Sequence, residues 1–136
     1  MEREMQRFLQ HVAGAKPHAC YLRTTVWEPP LNLYLTASAV VVLVEVAGAL
    51  RDTLDVTVDN GELVVRGCRE EPALPDLVNH YQVEMHFGKF ERRVALPGAV
   101  EPEHTTASYR DGLLRIMVPL AKPRTLTVEA RAEEVQ

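Results

Sequence analysis

An all-β sandwich is the fold class that the sequence predicts, on three observations. About eight short runs of alternating or β-branched residues fall within roughly 90 residues, the spacing of a sandwich rather than of an open α/β sheet. Gly, Pro, Asn and Asp punctuate these runs as turn residues. Strand–helix alternation is absent, and so is any repeat at a period of roughly 20–50 residues.

The chain opens with a different pattern. Met1, Met5, Phe8, Leu9 and Val12 recur at helical spacing, with Glu2, Arg3, Gln6, Arg7 and Gln10 elsewhere. That is one apolar stripe on a short helix, ended by Gly14 and Pro17. A helix below about 12–15 residues is marginal alone and needs a surface to pack on. The chain from Ala15 is then irregular and closes at Pro29-Pro30.

The periodicity changes there. Leu31, Leu33 and Leu35 alternate with Asn32, Tyr34 and Thr36, the period of a strand. Val40 to Val46 is almost continuously apolar and β-branched, which predicts a strand buried on both faces. Leu54, Val56 and Val58 alternate with polar residues, and Asp59-Asn60-Gly61 is a hairpin turn leading to a strand over Leu63 to Arg66, ended by Gly67. Glu70 to Pro75 reads as a loop. His80 to Phe87 alternates cleanly and predicts a further strand, followed by one over Phe90 to Leu96. Thr105 to Tyr109, the turn Asp111-Gly112 and Leu113 to Val118 predict a second hairpin. A Pro-interrupted spacer then leads to Leu126-Thr127-Val128 and a polar tail.

A length of 136 residues suits one domain with modest tails. Apolar residues make up 46% and charged residues 25%, ordinary values for a globular chain. The net charge of −4 argues against a nucleic-acid binder, which normally carries a basic stripe. The longest apolar run, Ala39 to Val44, is far short of the roughly 20 residues of a membrane helix, and Met1 to Gln10 is no secretory leader. A cytoplasmic protein, with no membrane partner, is therefore expected. Cys20 and Cys68 have neither CxxC spacing nor a His pair nearby, so two reduced thiols are expected.

Catalytic patterns are missing. There is no phosphate-cradling glycine motif, no His-Glu-x-x-His and no Gly-x-Ser-x-Gly elbow. His80 and His86 share a strand face with Glu84, but six residues of strand separate the histidines by about 20 Å, too far to share an ion. Glu70-Glu71 and Glu133-Glu134 read as solvated acids. No enzyme activity, metal or cofactor is expected. Arg92 falls on the same strand face as Phe90 and Val94. It is either an interfacial arginine held by a carboxylate, which suits the guanidinium fork, or one snorkelling from a sheet edge. Leu126 and Val128 point the same way in an extended chain, about 6.6 Å apart, and form a two-residue anchor able to dock in a groove.

Five ordered blocks resemble the small heat-shock proteins, built on the alpha-crystallin domain. Ala107-Ser108-Tyr109-Arg110-Asp111-Gly112-Leu113-Leu114 resembles the family's Ala-x-x-x-Asp/Asn-Gly-x-Leu signature. Gly88-Lys89-Phe90-Glu91-Arg92 with Leu96-Pro97 resembles its Gly-x-Phe-x-Arg…Leu-Pro block. Pro30 to Tyr34, Leu63 to Arg69 and Leu126-Thr127-Val128 stand where the Pro-x-x-Asp-x-Tyr, Leu-x-Ile-x-Gly-Glu-Arg and Ile-x-Ile/Val motifs stand. Departures are Ala47-Gly48 for Pro-Gly, Asn32 for Asp, Cys68 for Glu, and a short arm before Trp27.

The resemblance implies an immunoglobulin-like β-sandwich over residues 27–119, an N-terminal arm over 1–26 and a C-terminal extension over 120–136. It implies an ATP-independent holdase that binds non-native client proteins, and a homo-oligomer built from dimers of the bacterial and plant type. A strand within Leu77 to Glu84 would pair with Asn32 to Thr36 of a second copy. The implied dimer interface comprises Asn32, Leu33, Tyr34, Tyr81, Val83, Glu84 and Arg92. Leu126 and Val128 would dock between the Leu54–Val58 and Thr105–Tyr109 strands of a neighbouring dimer, in a groove of Leu54, Val56, Val58, Ala107 and Tyr109. Met5, Phe8, Leu9 and Val12 would meet clients, or else pack inside the oligomer. The alternative is a co-chaperone-type sandwich that docks one folded partner.

Overall fold

The computed structural model describes residue 20 and residues 26–121. The arm helix expected over Met1 to Val12, with Met5, Phe8, Leu9 and Val12, lies outside the described residues, as does the Leu126–Val128 anchor.

Seven strands run along the chain: β1 (Leu31–Leu35), β2 (Ala39–Glu45), β3 (Asp55–Asp59), β4 (Glu62–Arg69), β5 (Gly88–Ala95), β6 (Thr106–Arg110) and β7 (Leu113–Pro119). They form a four-stranded sheet in the order β1-β2-β7-β6 and a three-stranded sheet in the order β3-β4-β5. All neighbouring pairs are antiparallel. The fold is the all-β sandwich that the alternation predicts.

The core lies between the sheets. Val40, Val42 and Val44 of β2 and Leu114, Ile116 and Val118 of β7 meet Leu63 and Val65 of β4 and Phe90 of β5, all buried. Each such side chain contributes about 1.5–3 kcal/mol on leaving water. The valine-rich β2 is the strand flanked on both sides, by β1 and β7. Its outward-facing Val41 is also buried, as the continuous apolar run predicts.

The turns follow from residue chemistry. Asn60 and Gly61 both take positive φ (52° and 73°), as do Asp111 and Gly112 (55° and 77°). These are the tight hairpin turns that suit the right-handed twist of flanking strands. Gly67 does not end its strand, and β4 continues to Arg69. Gly67 pairs with Phe90 of β5, and a Cβ there would run into the Phe90 ring and Leu54. The glycine makes room for the aromatic side chain rather than breaking the strand.

Two expectations are corrected. His80 to Phe87 forms no strand; the chain from 70 to 87 lies outside both sheets. A strand exists only where a neighbour takes up its N–H and C=O groups, and among the described residues none lies beside this segment. The cysteines, expected as reduced thiols, are joined: Cys20 and Cys68 form a disulfide across 48 positions of sequence, with Cα atoms 6.2 Å apart. Local spacing carries no signal for a pair that only the fold brings together.

Candidate functional site

The sandwich leaves strand edges open, and each adjoins one of the residue sets singled out in the sequence. An unpaired edge is a ready template for another chain.

The first lies between the two sheets. β3 and β6 are end strands of different sheets, and a groove of about 330 Å³ runs between them. Val56 and Val58 line it from β3, and Ala107 from β6; Pro102, Thr105 and Thr106 complete that wall. Pro102 belongs to a short 3-10 turn whose neighbours Glu101 and Glu103 place acids beside the groove. His104 Nδ1 lies 3.0 Å from Glu101 Oε2 and 3.9 Å from Glu103 Oε1. These three are the one group among the described residues whose ligand atoms cluster closely enough for a metal ion, and Glu103 and His104 are exposed. As they stand they form a solvated polar cluster.

Leu54 and Tyr109, the other expected groove residues, lie outside that lining. Leu54 packs against the core beside Gly67. The Tyr109 hydroxyl donates to the Val46 carbonyl at 2.7 Å and accepts from the Ala49 amide at 3.2 Å. Arg51 lies over its ring, 5.4 Å from the centroid, and donates to its backbone carbonyl at 2.9 Å. Tyr109 thus braces the end of β6 against the β2–β3 connection.

The second edge is β1. It is the terminal strand of its sheet, and Asn32 and Tyr34 on it are exposed while Leu33 is partly buried. Asn32 Nδ2 donates to the Tyr34 hydroxyl at 2.8 Å. The 70–87 segment carries Tyr81 at 97% exposure and Val83 at 67%, with Leu77, Val78 and Met85 also exposed. That many exposed large apolar side chains in one segment exceeds the single scattered hydrophobics usual on a protein surface. Gln82 Nε2 donates to the Glu84 carboxylate. The structure does not bring Tyr81, Val83 or Glu84 to β1 within one chain.

What the sequence did not single out is how this segment is rooted. Arg69, at the end of β4, lies 4.6 Å from the centroid of Trp27 and 5.3 Å from that of Phe87. Its Nε donates to the His86 carbonyl at 2.9 Å and its Nη1 to that of Ala47 at 3.0 Å. Trp27 stacks on His86, with centroids 5.6 Å apart, and donates to the Gly88 carbonyl. The usable signal is composition: Trp27 is the sole tryptophan of the chain.

The third edge is β5, and it is partly covered. Trp27 forms a parallel bridge to Phe90, with Glu91 N donating to the Trp27 carbonyl at 3.0 Å. Arg92 is partly buried here and donates to the Pro29 carbonyl at 2.9 Å, not to a carboxylate. The chain entering β1 crosses this edge and offers backbone oxygen to Arg92, which the sequence leaves open between a carboxylate-held interfacial position and a snorkelling one. The carboxylate network lies on the opposite face of β5. Glu91 accepts from Arg66 Nε at 2.7 Å and from Arg93 Nε at 3.0 Å. Burial opposes ionisation of Glu91, but the hydrogen bonds and charges of the two arginines outweigh it and hold its carboxyl below the ordinary value.

An antiparallel sandwich with a cross-sheet groove on one side and an apolar excursion near an open edge on the other is a domain suited to association through its margins. The chain belongs to the Hsp20/alpha crystallin family, whose model matches residues 34–135. It is 34% identical over 76 residues to small heat shock protein C4 of Rickettsia felis, a match covering 56% of this chain and 47% of that protein. The chain therefore spans about half the length of that relative. It is 26% identical over 130 residues to the 18 kDa antigen of Mycobacterium leprae, covering 93% of this chain and 82% of the antigen. Among solved structures, hspA from Xanthomonas axonopodis superposes with a TM-score of 0.66 at 26% identity, over 74% of this chain and 100% of that one. Among the described residues, no helix is long and apolar enough to cross a membrane.

Proposed function

We propose that this protein is a non-enzymatic, ATP-independent holdase of the cytoplasm, which binds unfolding proteins and suppresses their aggregation. Strand-exchanged dimers assemble into larger oligomers. The observation that carries the reading is the apolar 70–87 segment, held at its root by Arg69 and Trp27 yet without a strand neighbour. At roughly 3.3–3.6 Å per residue, it reaches far enough to lie along β1 of a second copy and return. Tyr81, Val83 and Glu84 of one copy then meet Asn32, Leu33 and Tyr34 of the other, with Arg92 ordering the adjoining edge. Leu126 and Val128 dock in the groove lined by Val56, Val58 and Ala107. Met5, Phe8, Leu9 and Val12 meet clients, where the flexible, polarizable thioether of Met5 suits promiscuous contact.

Membership of the Hsp20/alpha crystallin family supports this reading, as does the likeness to small heat shock proteins. Light scattering tests it. Added at equimolar ratio to a heat-labile enzyme, without nucleotide, the purified chain suppresses the rise in scattering on heating. A scattering curve equal to that of the enzyme alone rejects the holdase. A monomer whose behaviour is unaltered by trimming 126–136 would instead favour a module that docks one folded partner.

A further inference from the structure

The three-stranded sheet carries buried residues on both faces. Leu63 and Val65 of β4 point into the core. By alternation Val64 and Cys68 point the other way. Yet Val64 is only 2% exposed, Cys68 0%, and Thr57, paired with Val64 across β3, 8%. The residue of the N-terminal arm joined to this outward face is Cys20, itself 2% exposed. Six positions of chain separate Cys20 from Val26, next to the bridge that Trp27 makes to Phe90.

We propose that the Cys20–Cys68 bond is a redox-controlled tether that holds the N-terminal arm to the outward face of the β3–β4–β5 sheet and is opened by a thiol reductant. Its link to clients rests on the holdase reading above. While the bond is closed, residue 20 is fixed on β4. Once it opens, residue 20 is held only by the chain leading to Val26, which lets it range over roughly 20 Å.

The exchange balances. A thiolate of a dithiol reductant attacks one sulfur, the Cys20–Cys68 bond breaks, and a mixed disulfide forms. The second thiolate of the reductant displaces the remaining cysteine. Two electrons pass to the cysteine pair, two protons restore both thiols, and the reductant leaves as a disulfide. Disulfides in reducing compartments are characteristically transient or sensing, which suits a tether in a cytoplasmic protein. Because both sulfurs are buried, attack awaits local opening of the arm, so heat and reductant act together.

The test uses the full chain, treated either with a small disulfide oxidant or with a dithiol. The oxidised chain shows no free thiol under denaturing conditions. A non-reducing tryptic digest yields the peptide Phe8–Arg23 joined to Gly67–Arg69. Under native conditions trypsin cuts after Arg23 about tenfold more slowly in the oxidised than in the reduced chain, with the strand circular dichroism unchanged. Cys20→Ser, which leaves the buried Cys68 in place, cuts at the fast rate in both treatments. Two free thiols after oxidation, a bond linking Cys20 of one copy to Cys68 of another, or equal cleavage rates in the two states would each overturn the tether. These readouts need no client. Failure to suppress aggregation in either redox state sinks the holdase reading, and the thiol and cleavage results still decide the tether.

Discussion

Gly67 lies directly across the sheet from Phe90, and the space a side chain would occupy at Gly67 is filled by the Phe90 ring. Phe90 is 1% exposed and among the largest fully buried side chains, so the ring cannot swing away into solvent. Gly67→Ala forces the ring or β4 to shift. The expected cost is about 1–3 kcal/mol, the usual penalty for overpacking a core. Urea unfolding followed by Trp27 fluorescence measures it; an unchanged midpoint would mean that the ring has room after all.

Tyr109 supports a second expectation. Its hydroxyl makes two hydrogen bonds to the backbone of the β2–β3 connection, one to Val46 and one to Ala49. Tyr109→Phe keeps the ring beneath Arg51 and removes both. The predicted loss is about 1–2 kcal/mol, since each bond contributes roughly 1 kcal/mol net and the partners are partly buried. Hydrogen exchange of the β6 amides gives the local readout: faster exchange in β6 than in β4 is the expected pattern.

The arginine pair around Glu91 makes stability depend on acid. The folded state holds the Glu91 carboxyl below its ordinary value, so the unfolded chain binds the proton more readily. The contribution is present in full above the unfolded value and is lost as pH falls through the folded one. Denaturation midpoints measured from neutral pH downward therefore fall through the acid range more steeply for the wild type than for Glu91→Gln. Parallel curves for the two would mean that the network contributes nothing to that dependence.

Much of this architecture was legible because local chemistry and global fold agree. Period-2 alternation marked β1 and β3, and the Asn60-Gly61 and Asp111-Gly112 turns marked the β3–β4 and β6–β7 hairpins, since both tests concern neighbours in sequence. The misreadings share a cause, which is that each depends on something distant. His80 to Phe87 has a strand's pattern but, among the described residues, no strand beside it. Cys20 and Cys68 are 48 positions apart. Arg92, which the sequence leaves open between two readings, finds the carbonyl of Pro29, 63 positions away. Of the expected groove residues, Val56, Val58 and Ala107 share one cavity because their strands end different sheets and face each other across the gap. Tyr109 fulfils the alternation too, but its hydroxyl is drawn to the β2–β3 backbone.

Reduction of the Cys20–Cys68 bond also has a thermodynamic consequence, apart from any switching role. Closing a loop of 48 positions removes unfolded-state entropy equivalent to about 4 kcal/mol at most. Calorimetry of the oxidised chain and of Cys20→Ser is expected to show the variant melting lower, by on the order of 10 °C. Equal melting temperatures would place the bond outside the cooperative unit.

Assembly gives the last expectation, and it separates two interfaces of different strength. The groove lined by Val56, Val58 and Ala107 holds about 330 Å³, and the proposed Leu126–Val128 anchor would bury only two aliphatic side chains in it. That yields on the order of 3–6 kcal/mol before the entropy of ordering the extension is charged. Such a contact releases readily, whereas strand exchange along β1 adds a ladder of backbone hydrogen bonds. Replacing Leu126 and Val128 together with Ala is therefore expected to shift native mass spectra from larger species to dimers. Arg92→Ala removes the donor to Pro29 and loosens the chain entering β1, so it acts on the dimer itself and alters the whole mass profile. A double Leu126/Val128 variant that keeps the larger species would assign them to a different contact, and an Arg92→Ala profile identical to wild type would remove Arg92 from the interface.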